Sequence, residues 1–248
     1  MTGQRMIARP IAALICSLVV ACSGGSDTTT SASTATTVPV TTTTIPPGPA
    51  AELPPSGCCD GIEIPAGTYE LPAYWGTPLT VVVGDGWRAV FDNSAALMAF
   101  VQGQNAVADP SRWLYLIRAP VDVPPEDVIA DMAAMTSISV TADPEAVEIA
   151  GFPGVQLEAT ANHDPDQPEV PANGIEAGAI RLEALNDTGY FPTGFLVATA
   201  TRESTLRFVA LDVGGRTMLA LIDAPPDEFA AFADEATAVL DSLTTPPA

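Results

Sequence analysis

Hydrophobic and polar residues alternate over much of the chain beyond residue 61, in short runs separated by Gly, Pro, Asn and Asp. Such runs predict β-strands, because successive side chains of a strand point to opposite faces. Leu79–Val83 is rich in β-branched residues, and the Asp85-Gly86 turn leads to a second run at Trp87–Phe91. Further strands are predicted at Leu97–Val101, Trp113–Ile117, Val155–Ala159, Ala179–Leu185, Phe195–Ala200, Leu206–Val213 and Thr217–Ile222.

Two segments have apolar residues at helical spacing instead. The first begins at Pro124-Pro125 and the second at Pro225-Pro226, each followed by two acidic residues, which suit the first turn of a helix. Their apolar stripes are Val128, Ile129, Met132 and Met135 in the first, and Phe229, Phe232, Ala236, Val239, Leu240 and Leu243 in the second. The pattern predicts an α+β fold with a central antiparallel sheet flanked by about two helices.

The N-terminus is typical of a signal peptide. Arg5 and Arg9 precede an apolar run at Ile11–Val20 that is too short to cross a membrane as a helix. The sequence from Leu18 through Ala21 to Cys22 resembles the lipobox of bacterial lipoproteins. That resemblance implies a signal peptide at 1–21, cleavage between Ala21 and Cys22, and a diacylglyceryl-type lipid on the Cys22 thiol, which would hold the protein on the extracytoplasmic face of the cell membrane.

A Ser/Thr/Pro-rich segment follows, and it contains no aromatic residue as far as residue 57. It cannot bury enough apolar surface to offset its ordering entropy, so 22–57 is predicted to be a lipidated cysteine and a disordered tether. The range 58–246 is predicted to be a single globular domain. It opens with Cys58 and Cys59, which could form a vicinal disulfide, stay free or bridge to another chain.

Charge excludes some classes of partner. The chain has 30 acidic and 9 basic residues, all of the latter arginine, and cleavage before Cys22 would remove two of them. A field of that sign repels phosphate groups and anionic lipids, so a nucleic-acid partner is excluded and the membrane would be reached only through the lipid.

Several short motifs resemble uncharacterised lipoproteins of high-GC Gram-positive bacteria, and PsbP-like and LpqN-type envelope proteins. They are turns and apolar runs: Gly67–Tyr69, Pro78–Val81, Gly84–Trp87, Val147–Gly154 and Ala238–Leu243. The resemblance covers roughly residues 65 to 244. It implies a central antiparallel sheet flanked by helices and a place in the cell envelope, but no reaction.

No catalytic constellation is recognised, so the chain is predicted not to be an enzyme, and no cofactor or metal is expected. His163 is the only histidine, and no Gly-x-Ser-x-Gly elbow accompanies it. Asp164, Asp166 and Glu169 could collect Ca²⁺, but their spacing does not match an EF-hand loop. Three tryptophans could be core anchors or could line a ligand pocket: Trp75, Trp87 and Trp113.

These features leave three functions open. The first is a membrane-anchored, non-enzymatic binding or adaptor module of the cell envelope, with a protein partner. The second is a carrier of a small apolar ligand, either a lipid or a cell-wall precursor. The third is a hydrolase that uses His163. The sequence identifies neither a partner nor a ligand.

Overall fold

A computed structural model describes residues 49–54, 61–71, 77–92, 97–102, 112–119, 123–162, 179–181, 199–201 and 204–245. All of them lie in a compact unit that spans residues 43 to 248. The strands are β1 (Ala51–Glu52), β2 (Ile62–Glu63), β3 (Gly67–Leu71), β4 (Leu79–Val83), β5 (Trp87–Asp92), β6 (Leu97–Gln102), β7 (Arg112–Arg118), β8 (Ile138–Ile149), β9 (Phe152–Ala161), β10 (Ala179–Arg181), β11 (Thr199–Thr201), β12 (Thr205–Asp212) and β13 (Thr217–Ala224), and the helices are α1 (Pro125–Ala133) and α2 (Phe229–Asp241).

The largest sheet has eight strands in the order β2-β5-β6-β7-β13-β12-β9-β8, and every neighbouring pair is antiparallel. β12 and β13 are joined by a hairpin in which Gly214 and Gly215 have φ of 64° and 84°, a backbone region that glycine occupies without strain. A second sheet has the order β1-β3-β4, and β10 pairs with β11. The predicted α+β fold, with an antiparallel central sheet and two helices, is confirmed.

One face of the eight-stranded sheet, called the α2 face, packs against α2 and the β1-β3-β4 sheet. Side chains from all three layers form one buried cluster, including Val81 of β4, Phe100 of β6, Val209 of β12 and Phe232 of α2. Alternation explains which residues take part, because Met218, Ala220 and Ile222 of β13 point to this side. Burial of their apolar surface is the main driving force for joining the layers.

The opposite face, called the α1 face, packs against α1. The helix contributes Val128, Ile129 and Met132 to a second buried cluster, which the strands complete with Leu157, Phe208 and Leu221 among others. α1 contacts β12, β9, β13 and β8. The predicted apolar stripe of the first helix therefore forms the contact with the sheet.

Polar contacts fix α2 at both of its ends. Just before its start, Glu228 forms an ion pair with Arg112 at 3.5 Å. At its middle, Glu235 accepts a hydrogen bond of 2.6 Å from Gln102, whose strand partner is Arg112. At its end, the Ser242 hydroxyl accepts a hydrogen bond from the Val82 amide at 2.8 Å. These bonds fix the orientation of a helix whose apolar side alone would allow several.

Gly154 marks a close approach between β9 and β12. A Cβ built on it would lie 2.2 Å from the carbonyl oxygen of Ala210, a backbone atom that has no alternative position within the ladder. Any other residue would push the two strands apart. This position lies in the Gly151–Gly154 turn region that carries part of the sequence resemblance.

β8 is a long strand that the sequence pattern did not predict. β8 lies at the edge of the eight-stranded sheet, and its ten central residues are exposed or only half-buried, so it lacks the alternation by which strands are recognised. It contains Pro144, and its register with β9 shifts between Val140 and Ala142 and again between Ala142 and Glu145. Prolines, charges and bulges are features that protect edge strands from pairing with other chains.

Helix boundaries differ slightly from the prediction at the second helix. α2 begins at Phe229, whereas the Pro225-Pro226 pair lies in the turn that precedes it. Among the residues that the structure describes, no helix is long and apolar enough to cross a membrane. The predicted signal peptide, Cys22, Cys58 and Cys59 lie outside the described residues. Of the predicted tether 22–57, residues 49–54 are described, and there the predicted disorder is wrong: β1 pairs with β3, and Leu53 is buried in the core because its apolar side chain packs against the α2 face. The remaining limits of the domain stay predictions.

Candidate functional site

The candidate site lies on the α1 face around Asp223, near the end of β13. Asp223 shares this face with Leu219 and Leu221, since they alternate with the residues that point to α2. Strand register places Trp113 of β7 on one side of Asp223 and Leu206 of β12 on the other. A carboxylate in this row is unusual because both neighbouring strands are largely apolar.

Asp223 is only 3% exposed, yet its hydrogen bonding is incomplete. The hydroxyl of buried Ser204, just before β12, forms a hydrogen bond with the carboxyl group. The second oxygen, Oδ1, has no hydrogen-bond partner among the described residues. Buried polar atoms without partners are rare in native proteins, and each costs free energy comparable to a lost hydrogen bond.

Burial raises the pKa of Asp223 from 3.8 to about 7, and the Ser204 hydrogen bond opposes that shift. Burial also raises the pKa of Tyr115 well above its ordinary value, with the nearby Asp223 carboxylate adding to the effect. A carboxyl group in an apolar environment favours its neutral form because the charge has lost its hydration. Asp223 therefore holds its proton to a higher pH than an exposed aspartate does.

An aromatic pair stands beside this carboxyl group. The rings of Trp113 and Tyr115 stack with their centroids 5.2 Å apart and their planes within 8° of parallel. Both side chains are half-buried, and they project from β7, which neighbours the strand of Asp223, β13. The principal contacts of α1 lie on the other side of β13, with β12 and β9. On β6, Ala99 and Val101 are paired with Tyr115 and Trp113, and both are buried.

No arginine of the adjoining strands compensates the charge of Asp223. Arg207 of β12 lies over the Phe229 ring on the α2 face and bonds to Glu158, and Arg118 of β7 alternates with residues of the α1 face. Arg88 shares the α1 face but lies three strands away, where its Nη2 donates to the Gly61 carbonyl oxygen at 2.9 Å. The acidic residues of α1 are exposed to solvent: Glu126, Asp127 and Asp131.

This arrangement can accept a hydrogen bond and stabilise a positive charge next to aromatic ring faces. A free carboxylate oxygen supplies the acceptor, and rings such as those of Trp113 and Tyr115 attract cations through their negative faces. The cluster offers an acceptor and a ring surface, and among the described residues it pairs no nucleophile with a base.

Of the two predicted pocket-lining tryptophans that the structure describes, Trp113 joins this cluster and Trp87 does not. Trp87 is 3% exposed and lies in the core of the α2 face, with its ring 5.5 Å from that of Phe232 and 6.3 Å from that of Phe100. Trp87 is therefore a core anchor, which is the alternative to a pocket-lining role for the tryptophans. Trp75 lies outside the described residues, as do Ala21, Cys22, Cys58 and Cys59.

Asp223 and Tyr115 are not among the site residues that the sequence pattern predicts. The signal was present, because Asp223 is the single charged residue in the otherwise apolar run from Met218 to Ala224. This pattern did not single out Asp223 at the level of sequence, because 30 acidic residues are spread along the chain. Within the described ranges, no three His, Cys, Asp or Glu residues are grouped so as to hold a metal ion. His163, Asp164, Asp166 and Glu169 lie outside those ranges.

No protein-family model matches the sequence, and no curated protein matches it. The chain is similar in structure to a PsbP and to LpqN. For the cyanobacterial PsbP (CyanoP) from Synechocystis the identity is 13%, 76% of this chain and 98% of that chain are covered, and the TM-score is 0.41. For LpqN, described as involved in cell envelope biogenesis of Mycobacterium tuberculosis, these values are 18%, 74%, 87% and 0.36.

A protein from Bacteroides thetaiotaomicron is similar at 10% identity with a TM-score of 0.39. The similarity covers 74% of this chain but only 50% of that one, so the chain spans about half the length of that protein. PsbP and LpqN are the two kinds of protein that the turn motifs of the sequence resemble.

Proposed function

We propose that this protein is a non-enzymatic binding module that recognises a protein partner in the cell envelope through the α1 face of its sheet. Its place at the extracytoplasmic side of the membrane is part of the proposal and rests on the lipobox-like segment that ends at Cys22. A tether between Cys22 and β1 would let the domain reach a partner away from the membrane surface.

The observation that supports this role is the cluster of Asp223, Trp113 and Tyr115. A buried carboxyl group without a complete set of hydrogen bonds lowers stability, and such groups concentrate where proteins bind or react. Half-buried aromatic rings are the side chains most enriched at the centres of protein interfaces. Their combination on one face of the sheet favours an interface.

A protein partner is favoured over an apolar ligand because the α2 face is filled by the protein's own side chains. The space between the eight-stranded sheet and α2 is filled by large buried side chains, including Trp87, Phe100 and Phe232. A carrier of lipids would need a cavity lined by such residues. The acidic surface also favours association with a partner of opposite charge.

Site-specific cross-linking in the native host would test the proposal. A photoreactive phenylalanine analogue replaces Trp113 in the full chain, and a matched control carries it at Ala238, which is exposed on α2. We expect a discrete covalent adduct with one envelope protein from position 113 and none from position 238. Equal adducts from both positions, or none from position 113, would refute the proposed interface.

The anchoring part is tested separately by Cys22→Ser. We expect the wild-type protein to sediment with membranes and the variant to be recovered in the soluble fraction. A variant that stays equally attached would refute the lipid anchor without affecting the binding role.

A further inference from the structure

We propose that the open edge of β8 binds an extended, basic segment of a protein partner, which adds an antiparallel strand to the eight-stranded sheet along residues 145–149. This surface goes beyond the proposed function, because β8 lies four strand positions away from β7, the strand of Trp113. With neighbouring strands about 4.8 Å apart, the two surfaces are separated by roughly 19 Å along the sheet.

The inference rests on a strand of twelve residues that is hardly buried. β8 ends the order of strands, so one of its edges pairs with no other strand that the structure describes. All eight residues from 139 to 146 are exposed to solvent, and so is Glu148. Exposure at successive positions opens both faces of the strand, since neighbouring side chains point to opposite sides. The backbone at this edge is therefore accessible from outside the chain.

Strand register shows which backbone groups point outward. The two residues of the turn between β8 and β9 have φ of 54° and 80°, as in the type I′ turns of tight hairpins, so the flanking pair of Ile149 and Phe152 is hydrogen-bonded. Bonded and non-bonded pairs alternate from there. Ala146 and Glu148 fall in non-bonded pairs, and their N–H and C=O groups therefore point away from β9. Pro153, which has no N–H, stands opposite Glu148, as a non-bonded pair allows.

The bulges and the proline that protect this edge are confined to its first part. Thr141 is an extra residue at the first register shift, and Asp143 and Pro144 together stand opposite Leu157 at the second. Such bulges bend a strand and interrupt pairing. The register with β9 is continuous at residues 145–149, so an added strand meets a regular ladder there, where the four outward backbone groups lie.

Charge decides which kind of strand the edge accepts. Asp143, Glu145 and Glu148 are exposed, and residues 138–161 contain no lysine or arginine. The Gln156 amide that donates to Glu145 is neutral, so it leaves the charge of that carboxylate in place. Like charges directly opposed on neighbouring strands are destabilising, and opposite charges are stabilising. A second copy of this acidic edge is therefore disfavoured, whereas a strand with arginine or lysine opposite these carboxylates is favoured.

Alternation also sets the spacing of the partner's residues. Ile149 belongs to the buried cluster of the α2 face and Val147 packs against it, so Glu145 lies on that side and Glu148 on the opposite one. An antiparallel strand therefore needs two basic residues three positions apart, one for each side of the sheet. A β-branched residue suits the position opposite half-buried Val147.

The test is a nuclear magnetic resonance titration of the full-length protein with the peptide acetyl-Thr-Arg-Val-Thr-Arg-Thr amide, which has this spacing. The matched control peptide has glutamate in place of both arginines. We expect the arginine peptide to shift the Ala146 and Glu148 amide resonances saturably and to slow the hydrogen exchange of both amides, because their N–H groups become bonded. The glutamate peptide should bind about tenfold more weakly or less.

Methylated peptides separate strand addition from simple charge attraction. N-methylation of the first arginine and the second threonine removes the two donors that face Glu148 and Ala146, and it should weaken binding by about tenfold or more. N-methylation of the valine alters an N–H that points away from β8. That peptide is the control and should bind nearly as well as the parent.

Two variants locate the binding on the protein. Ala146→Pro removes an outward N–H without removing a bond to β9, and proline is tolerated on edge strands. We expect it to weaken binding of the arginine peptide by about tenfold or more, with little change in the midpoint of urea unfolding. Glu148→Arg should reverse the preference, so that the glutamate peptide binds better. Asp234→Asn, which removes an exposed charge from α2, is the control and should bind like the wild type.

Three outcomes would overturn the inference. These are equal binding of the arginine and glutamate peptides, no loss on methylation of the two bonded residues, and protection of the Ala146 and Glu148 amides that rises with protein concentration without any peptide. The last would assign the edge to a second copy of the chain. If Ala146→Pro fails to fold, Glu148→Arg and the methylated peptides decide. A cross-link from position 113 that persists while the peptides fail would leave the proposed function standing and remove only this second surface.

Discussion

The two faces of the eight-stranded sheet are both well packed, but their polar groups differ in how completely they are hydrogen-bonded. On the α2 face, Arg207 donates from Nε and Nη2 to Glu158 at 3.0 and 2.7 Å, and Gln102 donates to Glu235. On the α1 face, Asp223 is more deeply buried than any of these and has one oxygen without a partner in the described part of the chain.

The two faces therefore differ in what their polar groups contribute to the stability of the fold. Polar groups that are paired at a layer boundary cost little and fix the orientation of the layers, as the contacts of α2 do. A buried carboxyl group with an incomplete set of hydrogen bonds lowers the stability of the fold, because the oxygen without a partner has lost its hydration. A sequence that keeps such a group on one face only is consistent with binding at that face.

The largest expected effect tests whether the two faces are packed equally. Phe232→Ala on the α2 face and Phe208→Ala on the α1 face each remove a fully buried ring, so each should lower the free energy of unfolding by roughly 3–5 kcal/mol. Urea denaturation measures both. A cost below about 1 kcal/mol for Phe208→Ala would show that the α1 face is loosely packed, and the comparison would then concern packing rather than polar pairing.

The next effect isolates Asp223. Its pKa is about 7 in the folded protein against 3.8 as the ordinary value, so between these pH values the folded state holds a proton that the unfolded state has released. This residue's contribution to stability therefore falls as pH rises from about 4 to about 7 and is constant above and below, with a total change of roughly 4 kcal/mol.

Asp223→Asn should remove that pH dependence. The difference in unfolding free energy between variant and wild type, measured from pH 4 to pH 8, should move in favour of the variant as pH rises. Asp234→Asn, which removes an exposed carboxyl group from α2, is measured alongside as the control. A flat difference for Asp223→Asn would mean that the carboxyl group keeps an ordinary pKa, and the contrast between the faces would disappear.

A smaller effect is expected at the end of α2. Ser242→Ala leaves the Val82 amide without the hydroxyl that accepts its hydrogen bond at 2.8 Å, which should cost about 1–2 kcal/mol. Ser242→Thr keeps the hydroxyl and should retain most of the stability. If alanine and threonine behaved alike, the polar contacts of α2 would not contribute to fixing the helix on its face.

The smallest effect concerns the ion pair of Arg207 and Glu158, whose side chains are 23% and 35% exposed. Glu158→Gln should lower the unfolding free energy by about 1 kcal/mol or less, because solvent screens a pair at this exposure. The loss should shrink further at 1 M salt. A cost above about 2 kcal/mol, insensitive to salt, would show that this pair is as isolated from water as Asp223.

Much of the fold was readable from local patterns. Leu79–Val83 was predicted with the bounds that the structure gives it, and the Gly214-Gly215 hairpin and both helices were predicted, because alternation, turn glycines and apolar stripes are local properties of a chain. β8 could not be predicted in this way, since an exposed edge strand needs neither alternation nor an apolar face. Its place depends on pairing with β9.

The sequence by itself determined the α+β class, the alternating strands and the acidic, lysine-free character of this protein, since each depends on nearest neighbours or on composition. It also predicted a lipidated Cys22 and a tether. Only the tertiary structure decided that Trp87 anchors a core while Trp113 lies in a candidate site, and that Asp223 is buried beside it. Burial and pairing depend on which strands become neighbours, and residues 113 and 223 are far apart until β7 pairs with β13.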